Sequence, residues 1–148
     1  MIEIKAPHTV LVEGPRVFLA GSIDMGSAVD WQTEVVKHLQ QEDVIILNPR
    51  RDDWDSSWVQ DISNPQFNEQ VNWELNNIEG ADLVLFYFAP GSLSPVTLLE
   101  LGLVLGLGYI EVRVCCPRGY WRRGNVEITC AMYGVDIYES LEDMLNDF

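Results

Sequence analysis

The sequence predicts an α/β fold in which helices cover a mostly parallel sheet of about five strands. Short continuous apolar runs alternate along the chain with segments whose apolar residues recur every three or four positions. The first pattern is typical of strands buried on both faces, and the second of amphipathic helices. Strands that alternate with helices in this way form parallel sheets. The 148 residues contain no repeat, low-complexity tract or linker, so we expect one domain over residues 1–148.

The N-terminal part of the chain is expected to hold strands on either side of one helix. Short apolar or β-branched runs predict strands at Thr9–Val12, Val17–Ala20 and Val44–Leu47. Apolar residues at helical spacing predict a helix over Trp31–Gln41. The segment Arg50–Pro65 is polar and has no periodicity, and loops of this length in compact domains are commonly functional.

The middle of the chain contains the most hydrophobic run, Leu83–Phe88, which we expect to be a central strand. A helical apolar period precedes it at Phe67–Glu79. After it, Ser94 is a suitable N-cap and Pro95 suits the first position of a helix. A helix is therefore predicted from Pro95 to about Leu107.

The C-terminal part continues the alternation. Strands are predicted at Glu111–Cys116 and Val135–Tyr138, on either side of a loop and helix at Tyr120–Met132. Ser140 begins a sequence that resembles a capping box, which predicts a short final helix.

The charge of the chain disfavours one class of partner. The chain has 9 basic and 23 acidic residues and a formal net charge of −14. We expect no nucleic acid partner, because phosphate backbones need a basic surface. Prolines, glycines and Glu100 interrupt the apolar run Leu83–Ile110, so we expect no membrane span.

The three cysteines, Cys115, Cys116 and Cys130, are odd in number and lack the spacing of metal ligands. They predict neither a disulfide framework nor a zinc site, and they suit a reducing compartment. No basic-then-apolar signal segment begins the sequence. We expect a cytoplasmic protein that uses no metal or other cofactor.

Glu100 is the most unusual residue of the sequence. It carries the one carboxylate or ammonium group between Leu83 and Ile110, and apolar residues surround it on the predicted helix. A lone carboxylate in such surroundings costs several kcal/mol unless it is paired, protonated or used in function. The sequence offers no obvious structural partner, so we favour a functional role.

A ligand site is expected beyond the carboxyl ends of the parallel strands. Four predicted loops form that edge: Gly21–Ser27, Asn48–Trp58, Ala89–Ser94 and Pro117–Asn125. Gly21 and Ser22 open the first loop, where small residues permit a close approach of the backbone to a ligand. A plain turn has the same composition, and the loop has no dinucleotide or P-loop motif.

Glu74 is a second candidate. It follows Val71 by three residues and precedes Ile78 by four, so it shares the apolar face of its helix. A pair with Glu100 would separate the two pKa values and allow distinct acid and base or nucleophile roles. The alternative is a residue on the flank of the helix that bonds to a tryptophan or a backbone group.

The segment Arg50–Trp54 supplies candidate binding groups. One of the two arginines, Arg50 and Arg51, can bind a carboxylate or phosphate or stack on a base, or it can neutralise nearby aspartates. Trp54 can stack on a planar ligand, although packing in the core is the common role of tryptophan. No Ser, Cys or His arrangement indicates acyl transfer. A carboxylate nucleophile with a second acid is typical of retaining glycosyl transfer.

At these residues the chain resembles the nucleoside 2-deoxyribosyltransferase family, especially its second branch. The matching segments cover nearly the whole chain in order: Val17-Phe18-Leu19-Ala20-Gly21-Ser22-Ile23, Leu47-Asn48-Pro49-Arg50-Arg51, Gln70-Val71-Asn72-Trp73-Glu74, Ala81-Asp82, Thr97-Leu98-Leu99-Glu100-Leu101-Gly102, Gly119-Tyr120-Trp121-Arg122-Arg123 and Ser140-Leu141-Glu142. The Glu-Leu-Gly motif with its preceding strand is the most specific of them.

The resemblance implies a flavodoxin- or Rossmann-like three-layer fold and a nucleophile at Glu100. In the family, this glutamate attacks C1′ of a 2′-deoxynucleoside, releases the base and passes the deoxyribosyl group to another base. Glu74 matches the acidic residue that helps to hold the sugar and base, where better-known members have Asp. Asn125 loosely matches an asparagine that a neighbouring subunit contributes. Ser94 stands where better-known members have an Asp.

The resemblance leaves two reactions open. The transferase would take a nucleoside and a free base, whereas related hydrolases cleave nucleoside 5′-monophosphates with water. Those hydrolases bind phosphate through serines and helix N-termini, and Ser22, Ser92 and Ser94 match this role. A non-catalytic nucleotide-binding module is a further alternative. The resemblance and the apolar helix at Val96–Leu107 also predict a homo-oligomer.

Overall fold

The computed structural model of the chain describes residues 1–23 and 29–148. Over these residues the chain forms six strands and five helices, in this order: β1 (Ile2–Lys5), β2 (Arg16–Gly21), α1 (Trp31–His38), β3 (Ile45–Asn48), α2 (Pro65–Glu79), β4 (Leu83–Tyr87), α3 (Pro95–Leu107), β5 (Glu111–Cys115), α4 (Arg123–Met132), β6 (Ile137–Tyr138) and α5 (Leu141–Asn146). The predicted α/β class is confirmed, with a strand count slightly higher than expected.

The strands form one sheet in the order β1-β3-β2-β4-β5-β6, and all neighbouring strands are parallel. The strands β2 and β4 lie at its centre, as predicted for the run at Leu83–Phe88. From β2 the chain crosses to β3 on one side, and from β4 it crosses to β5 on the other. The loops after β2 and β4 therefore diverge, and in open α/β sheets ligands bind in the crevice that this divergence creates.

The three layers follow from the alternation of side chains along the strands. On β2, Phe18 and Ala20 belong to one hydrophobic core, whereas Val17 and Leu19 belong to the other. The helices α2, α3 and α4 complete the first core, and α1 and α5 complete the second. The sheet is thus covered on both faces, as a parallel sheet requires.

One predicted strand is wrong. Thr9–Val12 forms no strand, and Ile2–Lys5 instead pairs with β3 as the edge strand β1. Val10 and Val12 pack against the core while Leu11 is largely exposed, so the alternation that suggested a strand is real. β1 occupies the edge of β3, however, so this segment does not pair with that strand.

The helix α3 begins at Pro95 and ends at Leu107, as predicted. Ser94 occupies the N-cap position, but its hydroxyl group does not cap the helix, because its backbone is left-handed (φ 47°) and the hydroxyl group bonds to other serines. The outer side of α3 is apolar, with Val96 56% and Leu99 72% exposed. In the described part of the chain, no helix has the length and apolar character needed to cross a membrane.

Candidate active site

A cavity of about 520 Å³ lies at the carboxyl ends of the central strands. Its walls are the end of β2, the loop between β3 and α2, one face of α2, and the beginning of α3 with the loop before it. The volume is in the range of sites for small organic ligands. Seven residues that the sequence predicts for the site line this cavity: Gly21, Ser22, Arg51, Trp54, Glu74, Ser94 and Glu100.

Glu100 lies on the second turn of α3 and lines the cavity. It is 7% exposed. No residue in the described ranges forms a hydrogen bond or an ion pair with its carboxyl group. Burial raises the pKa of Glu100 well above its ordinary value, and the negative charge of Glu74 raises it further. The carboxyl group therefore retains a proton at a higher pH than an exposed glutamate does.

Glu74 lines the same cavity from α2 and is partly buried. Its Oε1 accepts a hydrogen bond of 2.8 Å from Nε2 of Gln70, one helical turn earlier. Burial raises the pKa of Glu74 from an ordinary value of 4.5 to about 7, while the hydrogen bond from Gln70 acts in the opposite direction. Glu74 is thus poised to change protonation state near neutral pH.

The two carboxyl groups titrate as a pair, because each charge makes the second ionisation less favourable. Near neutral pH, such a pair holds about one proton between its two members. One carboxyl group can then act as a nucleophile or base while the other acts as an acid. This division of roles is what retaining glycosyl transfer requires.

Three buried serines form a hydrogen-bonded group before α3, and two of them, Ser22 and Ser94, line the cavity. Oγ of Ser22, after β2, lies 2.5 Å from Oγ of Ser94, before α3, and Oγ of Ser92 lies 2.8 Å from each of them. The backbone N–H of Ala89 donates to Oγ of Ser22, and Ser92 donates to the carbonyl oxygen of Ala89. The loops that leave β2 and β4 are thus joined at the N-terminus of α3, where backbone N–H groups are unsatisfied within the helix.

Gly21 is required by packing at the point where β2 meets the cavity. A Cβ atom at this position would lie 2.5 Å from Cζ2 of Trp31 and 2.7 Å from the carbonyl oxygen of Tyr87. Both neighbours are fixed, because the ring of Trp31 is buried in the core and the carbonyl group belongs to β4. Glycine therefore lets α1 pack closely behind the cavity floor.

Arg51 lines the cavity, but its guanidinium group is already engaged. Nε and Nη2 donate to the carboxylate of Asp53 at 3.0 and 3.2 Å, and Nη1 donates to Glu69 at 3.2 Å. The group also lies 5.1 Å from the ring centre of Trp58. These contacts hold the loop between β3 and α2 in place. They agree with the second of the two hypotheses for this segment, in which an arginine neutralises nearby aspartates.

Trp54 is the aromatic residue of this loop that lines the cavity. It packs edge-on against Trp58, with ring centres 5.1 Å apart. Its Nε1 is buried and has no hydrogen-bond partner among the described residues. The indole ring of Trp54 therefore forms part of the cavity wall, and it also packs against Trp58 of the same loop.

The two remaining parts of the predicted site are Asn125 and residues 24–27. Asn125 is exposed on α4 and does not line the cavity of its own chain. Residues 24–27 of the predicted loop Gly21–Ser27 lie outside the described residues. In the described part of the chain, no group of three or more His, Cys, Asp and Glu residues is arranged to hold a metal ion.

Sequence reasoning missed Gln70 as a site residue. Its side chain is buried, lines the cavity and bonds to Glu74. The signal was available, because a polar residue four positions before an inward-facing acid lies on the same face of a helix. Phe67 and Val71 complete this face of the cavity, and they provide apolar walls for a planar group.

The fold and the cavity define a candidate small-molecule site of an α/β protein, and two carboxyl groups line it. The family then follows from comparison. The model of the family described as "Nucleoside 2-deoxyribosyltransferase like" matches residues 14–120, and the chain belongs to this family.

Solved structures share the fold. The CMP N-glycosidase BcmB from Clostridium botulinum is 17% identical, with a TM-score of 0.56, and a conserved protein from Enterococcus faecalis V583 is 13% identical, with a TM-score of 0.58. Each alignment covers 89% of this chain and 95% of the other. A search of curated proteins found no match.

Proposed function

We propose that this chain is an N-deoxyribosyltransferase that exchanges the base of 2′-deoxynucleosides through a covalent glycosyl-enzyme on Glu100. The observation that carries the proposal is the pair of carboxyl groups, Glu100 and Glu74, in one cavity of suitable size, both with raised pKa values. Family membership supports an enzyme that acts on nucleosides or nucleotides.

The reaction assigns a different role to each carboxyl group. The reactive form of the pair is the one in which its proton lies on Glu74. Glu100 is then ionised and attacks C1′ as the bond from C1′ to the base nitrogen breaks, through an oxocarbenium-like transition state. Glu74 gives its proton to the departing base and takes a proton back from the incoming base. The second displacement at C1′ releases Glu100 and restores the original configuration.

The walls of the cavity suggest how the substrate lies. The apolar face of α2 and Trp54 would border the base, and the loop held by Arg51 would close that end. Gly21, Ser22 and Ser94 would border the sugar and its 5′ substituent. This orientation puts C1′ between the two ends, where Glu100 and Glu74 lie.

A second candidate is an N-glycosidase that hydrolyses 2′-deoxynucleoside 5′-monophosphates. The serine group at the N-terminus of α3 favours it, because hydroxyl groups and free backbone N–H groups bind phosphate well. Water would then replace the incoming base, with the same roles for Glu100 and Glu74.

The decisive experiment incubates the protein with a 2′-deoxynucleoside and a second free base, and separates the products. A new nucleoside supports the transferase. Free base without a new nucleoside, together with a strong preference for dCMP or dGMP over the nucleosides, supports the hydrolase. Binding without turnover, unaffected by Glu100→Gln, would instead indicate a non-catalytic nucleotide-binding module.

The covalent step has its own test. Intact-protein mass spectrometry after rapid acid quench should show one added deoxyribosyl group on the wild type and none on Glu100→Ala. Glu79→Gln, an exposed change at the end of α2, is the control and should retain the adduct. Normal turnover by Glu100→Ala would overturn the mechanism.

The proposal includes a homo-oligomer in the cytoplasm. Leu93, Val96, Leu99 and Trp121 are large exposed apolar residues on and beside the start of α3, which supports burial against a second copy. A neighbour would then bring Asn125 to the cavity. The cysteines are free thiols, which suits a reducing compartment. Light scattering tests the assembly, with Leu99→Glu expected to give monomers; a monomeric wild type at micromolar concentration would overturn it.

A further inference from the structure

Gln70 lies one helical turn before Glu74 on α2 and is 4% exposed. Its Nε2 donates to the carbonyl oxygen of Pro49 at 2.9 Å and to Oε1 of Glu74 at 2.8 Å. An amide group has two N–H donors, so both are used. The carboxyl group of Glu74 is thereby tied to the point where the chain leaves β3.

The neighbours of Gln70 determine the orientation of its amide group. In the reverse orientation, Oε1 of Gln70 would face the carbonyl oxygen of Pro49, which accepts but cannot donate. The orientation found leaves Oε1 of Gln70 buried without a partner in the described ranges, which is unfavourable. The two donated hydrogen bonds outweigh this cost and keep an N–H group directed at Glu74.

A fixed donor makes the two oxygens of Glu74 different. Oε1 faces an N–H group, so it acts as an acceptor whether the carboxyl group is ionised or neutral. When Glu74 is neutral, its proton is therefore carried by Oε2. None of the described residues forms a hydrogen bond with Oε2, and Glu74 lines the cavity.

We propose that Gln70 is a positioning residue that keeps Oε1 of Glu74 as an acceptor and thereby places the proton of the neutral acid on Oε2, where a departing base can take it. The inference rests on the proposed function. In the balanced step, a bond forms between C1′ and Glu100, the bond from C1′ to the base nitrogen breaks, and the proton moves from Oε2 of Glu74 to the base. Glu74 is left ionised, with Gln70 still donating to Oε1.

The charges around Glu74 are consistent with this role. Glu100 on α3 and Arg51 in the loop are the other ionisable groups that line the cavity in the described ranges. Burial raises the pKa of Glu74, and the hydrogen bond from Gln70 limits the rise. Gln70 therefore keeps both protonation states accessible near neutral pH, as a residue that alternates between acid and base requires.

The test compares substrates that differ in their need for an acid. 2′-Deoxyguanosine needs protonation of the leaving base, whereas its 7-methyl derivative already carries a positive charge and releases a neutral base. 2′-Deoxyuridine and its 5-fluoro derivative form a matching pyrimidine pair. We expect Gln70→Leu to lower kcat/KM by roughly 100-fold for the substrate that needs protonation and by less than about tenfold for the 7-methyl derivative.

Two further variants make the result specific. Gln70→Met keeps the length of the side chain and tests the same loss of the donor if Gln70→Leu folds poorly. Gln66→Leu makes the same change one turn earlier at an exposed position, and it should leave both rates unchanged. Equal losses on both members of a substrate pair would show that Gln70 only packs, and would overturn the proposal.

A readout without substrate separates this proposal from the proposed function. Carbon-13 NMR titration of the glutamate carboxyl groups should show a higher pKa for Glu74 in Gln70→Met than in the wild type. An unchanged pKa would overturn the positioning role even in an active enzyme. Absence of base release by the wild type would overturn the proposed function, and the proton delivery with it, even if the pKa shifts as expected.

Discussion

Oγ of Ser22, one residue after β2, lies 2.5 Å from Oγ of Ser94, the residue before α3. This contact joins the two loops that diverge at the centre of the sheet, and Ser92 completes it. All three serines are buried, so the contact holds the N-terminus of α3 against the end of β2. Because Glu100 lies on the second turn of α3, the same contact helps to fix the position of its carboxyl group.

Ser94→Ala should reveal whether the site is built for a 5′-phosphate. If the serine group binds phosphate, the variant should lose roughly 10-fold or more in kcat/KM for a 2′-deoxynucleoside 5′-monophosphate, the loss expected for a hydrogen bond to a charged group. The free nucleoside should be affected much less. Steady-state kinetics on the two substrates measures the ratio of their kcat/KM values.

The control for this experiment is Ser92→Ala. Ser92 belongs to the same hydrogen-bonded group but does not line the cavity. Ser92→Ala should destabilise the folded protein without changing the ratio of kcat/KM for the nucleotide to kcat/KM for the nucleoside. A ratio that moves equally in both variants would assign the serines to structure alone.

The raised pKa values make the stability of the protein depend on pH in a defined direction. A carboxyl group whose pKa is higher in the folded state stabilises that state below its unfolded pKa, and the contribution is lost as the pH rises through the folded pKa. For Glu74 the window runs from 4.5 to about 7, and for Glu100 the folded pKa is likewise raised well above its ordinary value. Glu100→Gln, which carries no charge, should therefore be more stable than the wild type at pH 8.5, and this difference in the free energy of unfolding should grow as the pH rises.

Urea unfolding of the two proteins between pH 4.5 and pH 8.5 measures this difference. It should shrink towards zero at the acidic end, where Glu100 is protonated and resembles glutamine. Glu79→Gln makes the same change at an exposed end of α2 and should show no such trend. A difference that is constant across the pH range would mean that Glu100 is not perturbed by burial.

Gly21→Ala should destabilise the fold, because the added methyl group would lie 2.5 Å from Cζ2 of the buried Trp31 ring. Overpacking of this kind costs about 1–3 kcal/mol. Gly106→Ala on α3 is the matched control, since nothing lies within 4 Å of its Cβ position and alanine favours a helix. Thermal unfolding measures both changes. A Gly21→Ala protein as stable as the control would mean that Trp31 can move aside.

The sequence was sufficient to find the edge of the sheet at which the cavity lies. Glu100 stood out because it is a single carboxylate within an apolar helix, and parallel strands bring the loops that carry Ser22 and Ser94 to the same edge. Those inferences depend on the periodicity of apolar residues, which is visible in the sequence, and on the rule that ligands bind at the carboxyl ends of parallel strands.

Side-chain partners and the pairing of edge strands were harder to predict. The pattern at Thr9–Val12 describes correctly which residues face the core, but the competition with Ile2–Lys5 for the edge of β3 is decided by tertiary contacts. The sequence also left open whether Arg51 meets a ligand or Asp53, because either partner suits a guanidinium group. The role of Gln70 depends on the carbonyl group of Pro49, which only the folded chain brings near.

Arg51 tests whether the loop between β3 and α2 acts through direct contact with the substrate or through its own rigidity. In the structure Arg51 bonds to Asp53 and Glu69, so Arg51→Ala should loosen the loop and raise KM about 10-fold while kcat changes less. Asp53→Ala removes the acceptor of the hydrogen bonds from Nε and Nη2 of Arg51. Asp53 is exposed and does not line the cavity. If Arg51 acts as an anchor, Asp53→Ala should also raise KM, and the double variant should raise KM little beyond the Arg51→Ala value.

If Arg51 binds the substrate directly, Asp53→Ala would release the guanidinium group, and KM would stay constant or fall. Kinetics of the two single variants and the double variant distinguish these outcomes.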